Sequence, residues 1–178
     1  MRRIVKIKVS ESIIKNKLIF QEDWTDKFDR FVIYLFFSCF LVYPIISYYD
    51  TSSLGPNDRF VLYSFCPMSI LFGLYVIYRK ATEKHLFKVN SAFDKQKNKQ
   101  LLLNYAAKYG WQVYKNSNDC LIFNEQTSYF NSRYKKSMIF IVKDNLVLFT
   151  ILKDNYRLNI PSLTSHLFLK HDLKKLLA

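Results

Sequence analysis

Two long apolar stretches interrupt an otherwise polar chain. Residues 31–49 and 60–78 each run for 19 positions without a charged side chain. A helix of that length rises about 28 Å, close to the thickness of the hydrocarbon core of a bilayer. We therefore predict a transmembrane hairpin, residues 31–78, with an external loop at 50–59. Two buried helices of a soluble protein are the alternative, which we do not favour because too little chain remains to cover helices that are apolar on all sides.

The charges are distributed unevenly around this hairpin. Of the 27 Lys and Arg residues, 8 lie in residues 1–30 and 18 lie in residues 79–178, whereas the connecting segment 50–59 holds one. Basic residues close to membrane spans stay on the cytoplasmic side. We therefore predict an integral protein of the bacterial inner (cytoplasmic) membrane with both termini in the cytoplasm. This sorting also explains how a chain that is 50% hydrophobic can carry a net charge of +13.

The N-terminal flank, residues 1–30, reads as a cytoplasmic strand followed by a helix. In Ile4–Val9 apolar and basic side chains alternate, which is the pattern of a half-buried strand. Residues 10–28 then carry an apolar stripe at helical spacing. That stripe suits either an amphipathic helix on the membrane surface or a plain connecting helix, and the sequence leaves both open.

After the second apolar run, residues 79–89 are predicted to continue the helix into the cytoplasm. Basic side chains recur there at helical spacing, which predicts a row of cations facing the anionic lipids of the cytoplasmic leaflet: Arg79, Lys80, Lys84 and Lys88. A topology signal with no further role is the alternative for the same residues.

The rest of the chain, to residue 178, predicts a small basic α+β domain. A helix over 91–109 ends at Gly110, whose left-handed conformation would cap it. Apolar runs divided by polar turns then predict an antiparallel sheet of four or five strands, at 111–114, 120–123, 137–143, 146–152 and 156–160. The Asp144-Asn145 pair suits a two-residue hairpin turn.

A closing helix is predicted over 163–177, with a buried stripe formed by Leu163, Leu167, Leu173 and Leu177. The longest strands are apolar on both faces, so both faces should be covered, and the two helices of this domain are available for that. The strand at 4–9 is expected to join the same sheet, because both segments lie on one side of the membrane.

One polar segment between the strands interleaves aromatic and basic side chains. We predict a partner-binding loop there, formed by Tyr129, Phe130, Arg133, Tyr134, Lys135 and Lys136. This composition also suits stacking on a single-stranded nucleic acid. We favour a basic loop facing the membrane or a protein, because the positive charge is already explained by topology.

No arrangement of residues typical of an enzyme stands out. His166 and His171 are five positions apart, which does not place them on one helix face, and Cys120 falls in a predicted strand, where packing is its ordinary role. The three Gly residues are isolated, so neither a phosphate-binding loop nor a nucleophile elbow can form. We therefore predict a non-enzymatic protein with no catalytic residue, no cofactor and no metal site.

The order of these segments resembles that of the YcxB-like family of small bacterial membrane proteins. The resemblance lies in the layout: a short N-terminal strand and helix, two spans, then a mostly antiparallel domain in which Ile160-Pro161 precedes a closing helix. The segment around Tyr109-Gly110-Trp111 and the Asp144-Asn145 hairpin are similar to those of other small two-span proteins. A helix precedes the strands here, which departs from that family, and the resemblance implies no catalytic residues.

Two functions fit this organisation. The first is an anchored interaction module, an accessory or regulatory subunit of a membrane complex, with a protein partner or a second copy as well as the anionic leaflet as its binding partners. The second is an immunity or defence-type membrane protein that neutralises a toxin acting on the cell envelope. Nucleic acid is not an expected partner of either.

Overall fold

A computed structural model describes residues 7–49, 55–126, 134–155 and 160–178. The chain divides into two compact units. One unit comprises residues 23–81, and the other joins residues 1–22 to residues 82–178. The two segments that flank the apolar helices therefore belong to the same unit.

The first unit is a pair of long helices, α2 (Trp24–Tyr49) and α3 (Pro56–Thr82). They are antiparallel, because Phe37 packs against Phe72 at 6.1 Å between ring centroids and the Cys66 thiol lies 3.8 Å from the Pro44 carbonyl. Gly73 lies at this seam, where an added Cβ would stand 2.9 Å from a methyl group of Leu41. The absence of a side chain at this position therefore lets the two helices approach closely.

Within the described residues, one segment is long and apolar enough to cross a membrane, Trp24–Ile46, with a mean hydropathy of 1.7. Length and composition alone identify this candidate. The predicted membrane hairpin therefore stays a proposal. The helices themselves extend beyond both predicted apolar runs, and α3 begins inside the segment predicted as an external loop.

The second unit is built on a five-stranded antiparallel sheet, which confirms the predicted α+β class. Its strands, in chain order, are β1 (Phe87–Asn90), β2 (Gln112–Asn116), β3 (Cys120–Gln126), β4 (Tyr134–Lys143) and β5 (Leu146–Asn155). The spatial order is β1-β5-β4-β3-β2, so β1 and β2 form the edges. β4 and β5 form the predicted hairpin, with Lys143 opposite Leu146 and Asp144 at a φ of 45°.

Three short helices complete this unit: α1 (Val9–Ile14), α4 (Lys95–Lys108) and α5 (Ser165–Leu176). The α4 helix begins where the Asp94 carboxylate accepts a hydrogen bond from the Lys97 amide, at 3.0 Å. The buried Asn98 side chain ties it to the hairpin by donating to the carbonyl of Asp144, at 3.0 Å. Both α4 and α5 are shorter than the helices predicted over 91–109 and 163–177.

The prediction that both sheet faces are covered is confirmed, but the predicted covering elements are wrong for one face. Residues of α4 and α5 pack on a single face, around Phe123, Phe140 and Phe149. The opposite face, which includes Ile122 and Ile139, is covered by the N-terminal segment 7–20. The alternation of apolar residues reveals that a face is buried, but it does not identify the element that buries it.

This N-terminal segment differs from its prediction. Residues 7 and 8 are not in a strand, Val9 opens α1, and residues 4–6 lie outside the described part of the chain. The predicted helix over 10–28 is interrupted at Asn16, which has a φ of 48° that a right-handed helix does not allow. Pairing with the rest of the unit occurs instead at Lys17, which forms an isolated bridge with His85.

Three further predictions fail in whole or in part. The helix predicted through 89 stops at Thr82, and the residues after it form β1. Within α5, Leu167 is exposed, and the buried positions are His166, Leu169 and Leu173. The strand predicted at 156–160 is not seen at Ile160, and residues 156–159 lie outside the described residues.

Candidate functional site

The predicted partner-binding loop is only partly described. Tyr129, Phe130 and Arg133 lie outside the described residues, whereas Tyr134 and Lys135 belong to β4. Lys136 follows them and stands directly opposite Glu125 of β3, with 3.0 Å between its Nζ and a carboxylate oxygen. The basic end of the segment is therefore part of the sheet, held by an ion pair.

A second lysine lies next to this ion pair. Lys153 of β5 stands opposite Lys136 on the other side of β4. Burial lowers the pKa of Lys153, the positive charge of Lys136 lowers it further, and Glu83 opposes both effects. Lys136 and Lys153 are thus cross-strand neighbours of like charge, and the Glu125 carboxylate pairs with the first of them.

The predicted row of lipid-facing cations does not lie along one helix, because α3 ends at Thr82. Arg79 and Lys80 are only 6% and 4% exposed. Lys84 forms an ion pair with Glu22, and its ammonium lies 4.8 Å from the ring centroid of Phe20.

Lys88 is exposed on β1. The chain leaves the helical path because the Leu18 amide donates to the Lys84 carbonyl, at 2.7 Å, which turns this segment into a pairing partner of the N-terminal flank. Contact of these cations with lipid stays a prediction.

An aromatic cluster forms where α4 ends. Gly110 adopts the left-handed conformation that the sequence predicts, with a φ of 67°. Its amide donates to Ala107, and the Trp111 amide donates to Ala106, which is the Schellman arrangement of hydrogen bonds. This turn brings Trp111 back against the last turn of α4, where its ring centroid lies 5.3 Å from Tyr105 and 5.7 Å from Tyr109.

These rings form one wall of a cavity between α4, α5 and the sheet, with a volume of about 260 Å³. Phe168 of α5 lines it and is 70% exposed. Apolar side chains of the sheet and of α5 also line it, Met138, Ile151 and Leu169. The paired Glu125 and Lys136 line it as well, so the last residue of the predicted loop lies at this cavity.

A second hollow of about 390 Å³ lies along the same two helices. It shares Tyr105, Tyr109 and Asp172 with the first cavity, and Lys108 and Lys175 are also among its lining residues. The two hollows are therefore parts of one groove, which we call the α4–α5 groove. It extends from the Glu125–Lys136 pair to these two exposed lysines.

A tyrosine–carboxylate hydrogen bond lies where the two hollows meet. The Tyr105 hydroxyl donates to Asp172 at 2.8 Å. Burial raises the pKa of Tyr105, and the hydrogen bond and negative charge of Asp172 raise it further. The Tyr105 hydroxyl therefore stays protonated at neutral pH and satisfies one lone pair of the carboxylate.

The sequence pointed to only part of this groove. Lys136 was among the predicted binding residues, but Tyr105, Trp111 and Phe168 were not. Tyr-x3-Tyr-Gly-Trp, at residues 105–111, was a usable signal, because a glycine-capped helix end folds its flanking aromatic residues together. Phe168 carried no such signal, since its position beside them depends on how α5 packs.

The groups considered for catalysis are placed as follows. His166 is buried and stacks on Phe87 at 5.0 Å, whereas His171 is exposed. Cys120 is buried, and burial raises its pKa to about 11. Among the described residues, no three His, Cys, Asp or Glu side chains come together as a metal site would require.

Comparison of the chain with protein-family models, with curated proteins and with solved structures finds no match. The resemblance to the YcxB-like family therefore stays an expectation from the order of the segments.

Proposed function

We propose that this protein is a two-span membrane protein that presents an α+β interaction module at the cytoplasmic face. The observation that carries the proposal is the exposed apolar surface of the helix pair. Large apolar side chains face outward along both helices, among them Phe31, Leu35, Ile46, Phe65, Met68 and Leu71. Patches of this kind on a protein mark a membrane or another protein as the neighbour.

The packing of the pair explains why this surface is left over. The contacts between the helices use buried or small positions: Phe37, which is 3% exposed, packs against Phe72, and Gly73 lies against Leu41. A Leu, Ile or Phe side chain gains about 1.5–3 kcal/mol when it is removed from water. Many such side chains in contact with water would oppose folding, whereas lipid tails accommodate them at no cost.

The connections of the pair support a hairpin with both ends on one side. The Leu18 amide donates to Lys84, and the Leu86 amide donates to Asn16, at 2.7 and 3.1 Å. The segments that lead into α2 and out of α3 are thus hydrogen-bonded to each other within the second unit. If the helices span a bilayer, both flanks lie on the same side, and their basic surplus selects the cytoplasmic side.

The second unit is the part that would carry the interaction. Its surface has a groove with aromatic walls and charged ends, and aromatic residues are enriched where proteins bind one another. We therefore propose an accessory or regulatory role in a membrane complex. Purification in several mild detergents tests this role: co-purification of a stoichiometric partner is expected, and recovery of the protein alone as a monomer in all of them would contradict it.

Reporter fusions test the topology. A reporter active only outside the cytoplasm should be silent after Ala178 and active when inserted at residue 54. An insertion at Asn118, an exposed residue between β2 and β3, is the matched internal control and should be silent. Activity at 178 or 118 with silence at 54 would contradict the proposed orientation, and release of the protein by alkaline carbonate would contradict the membrane anchor itself.

A further inference from the structure

The α4–α5 groove has a shape and a charge pattern that select a class of ligand. We propose that it binds an extended segment of a protein partner in which acidic side chains lie next to a large apolar side chain, on the side that faces Lys108 and Lys175. This inference deepens the proposed function, on which it rests, by naming the chemistry of the partner.

The apolar part of the ligand follows from the cavity beside Trp111. Its volume of about 260 Å³ lies below the roughly 300–1,000 Å³ typical of drug-sized ligands. Tyr105, Tyr109 and Phe168 line it as well, and aromatic rings pack well against other rings and aliphatic groups. A cavity of this size and lining suits one large apolar side chain inserted from a chain that lies along the groove.

The acidic part follows from how the charges of the groove are already engaged. The carboxylate of Glu125 is paired with Lys136, and that of Asp172 accepts the Tyr105 hydroxyl. Lys108 and Lys175 at the other end are exposed, and neither pairs with a carboxylate of the residues that the structure describes. The charged groups of the groove that remain available to a ligand are therefore positive.

The charge of the whole chain favours an acidic partner over a second copy. Residues 79–178 hold 18 basic and 7 acidic side chains, so two such modules repel each other when they face. A flat lipid surface is also a poorer fit, because it cannot fill a concave cavity between two helices. A peptide that carries negative charges next to an apolar residue matches both features.

The test uses Trp111 as its reporter. The chain has two tryptophans, so a Trp24→Phe protein in nanodiscs of zwitterionic lipid reports the groove alone. The probe is a blocked peptide of two Phe surrounded by four Glu. One comparison peptide replaces Glu by Lys and another replaces Phe by Ser. A saturable change in Trp111 emission is expected with the first peptide and not with the other two.

Matched variants locate the binding. Reversal of both groove lysines, Lys108→Glu with Lys175→Glu, is expected to weaken binding by about 10-fold, since each exposed ion pair contributes about 0.2–1 kcal/mol and reversal adds repulsion. The control, Lys97→Glu with Lys174→Glu, changes the same two helices and the same charge outside the groove. It should weaken binding by less than about 2-fold, because only the long-range attraction between the basic module and the acidic peptide is reduced.

A second variant keeps the test decisive if charge reversal unfolds the module. Phe168 is so exposed that Phe168→Ala should leave the thermal unfolding temperature unchanged, and loss of the saturable response is expected from it. Equal binding of the Lys peptide, or equal weakening by the control pair, would overturn the proposal. A Trp111 response to anionic lipid without any peptide would identify lipid as the occupant and overturn it as well.

The two proposals fail separately. A protein that binds the acidic peptide but is released from membranes by alkaline carbonate would contradict the proposed membrane anchor and still support peptide binding in the groove. A protein that stays in the membrane after alkaline carbonate but gives no Trp111 response would contradict peptide binding in the groove and still support the membrane anchor.

Discussion

Replacing Leu71 by arginine distinguishes a helix in lipid from a helix in water. Leu71 lies near the middle of α3 and is 67% exposed. An exposed residue of a soluble protein tolerates such a change within about 0.5 kcal/mol. In a bilayer, leucine at the centre of a span contributes about −0.3 to −0.6 kcal/mol and arginine about +2.5 to +3.5 kcal/mol, so the substitution should cost about 3–4 kcal/mol. The equilibrium constant for insertion of α3 into the bilayer would then fall by roughly 150- to 1,000-fold.

Leu167→Arg is the matched control for this variant. Leu167 lies on α5 in the other unit and is 55% exposed, so the substitution and the starting exposure are nearly the same. The fraction of protein that resists alkaline carbonate, together with its abundance in cells, measures insertion. We expect Leu71→Arg to lower both and Leu167→Arg to leave both unchanged. Equal results for the two variants would refute the assignment of α3 to the membrane.

Three further predictions concern the second unit. Gly110→Ala should lower the free energy of unfolding by about 1–2 kcal/mol in denaturant titrations, because alanine disfavours a φ of 67°. No atom lies within 4 Å of the added Cβ, so the loss would come from backbone strain and not from a steric clash. An unchanged midpoint would contradict this. In a variant that keeps Cys120 as the sole cysteine, alkylation of its thiol at pH 8 should require denaturant, since the thiol is buried and its pKa is raised to about 11. Rapid alkylation of Cys120 in the folded protein would argue against that packing. Tyr105 has a raised pKa, so its contribution to stability is complete below the ordinary tyrosine value of 10.0 and is lost as the pH rises above it. The parent protein should therefore lose more stability between pH 9 and 11 than Tyr105→Phe does, and equal losses would count against the Asp172 hydrogen bond.

Local signals in the sequence predicted local structure well. The two-residue turn at Asp144-Asn145 and the cap at Gly110 are confirmed, because both depend on residues that tolerate positive φ at a defined point. Alternating and continuous apolar runs placed the four longer strands to within a few residues. The lengths of the two apolar runs predicted two long helices, since length and hydrophobicity are properties of the segment alone.

The same signals failed where the outcome depends on distant partners. Lysines recur at helical spacing after α3, yet the chain turns after Thr82, and Phe87–Asn90 form a strand because their backbone pairs with β5. The basic row at 80, 84 and 88 was consequently misread as one helix face. Helix propensity is a weak preference, and tertiary pairing overrides it.

The sequence by itself determined that this chain has two apolar helices, basic flanks and a sheet buried on both faces. Only the tertiary structure decided that the N-terminal segment covers one face, and that α4 and α5 share the other. It also decided that Tyr105, Trp111 and Phe168 line one groove. The physical reason is that the hydrophobic effect is non-directional, so it requires only that an apolar face of the sheet be buried. Which segment buries that face depends on complementary shape and on hydrogen bonds between segments that are distant in the sequence.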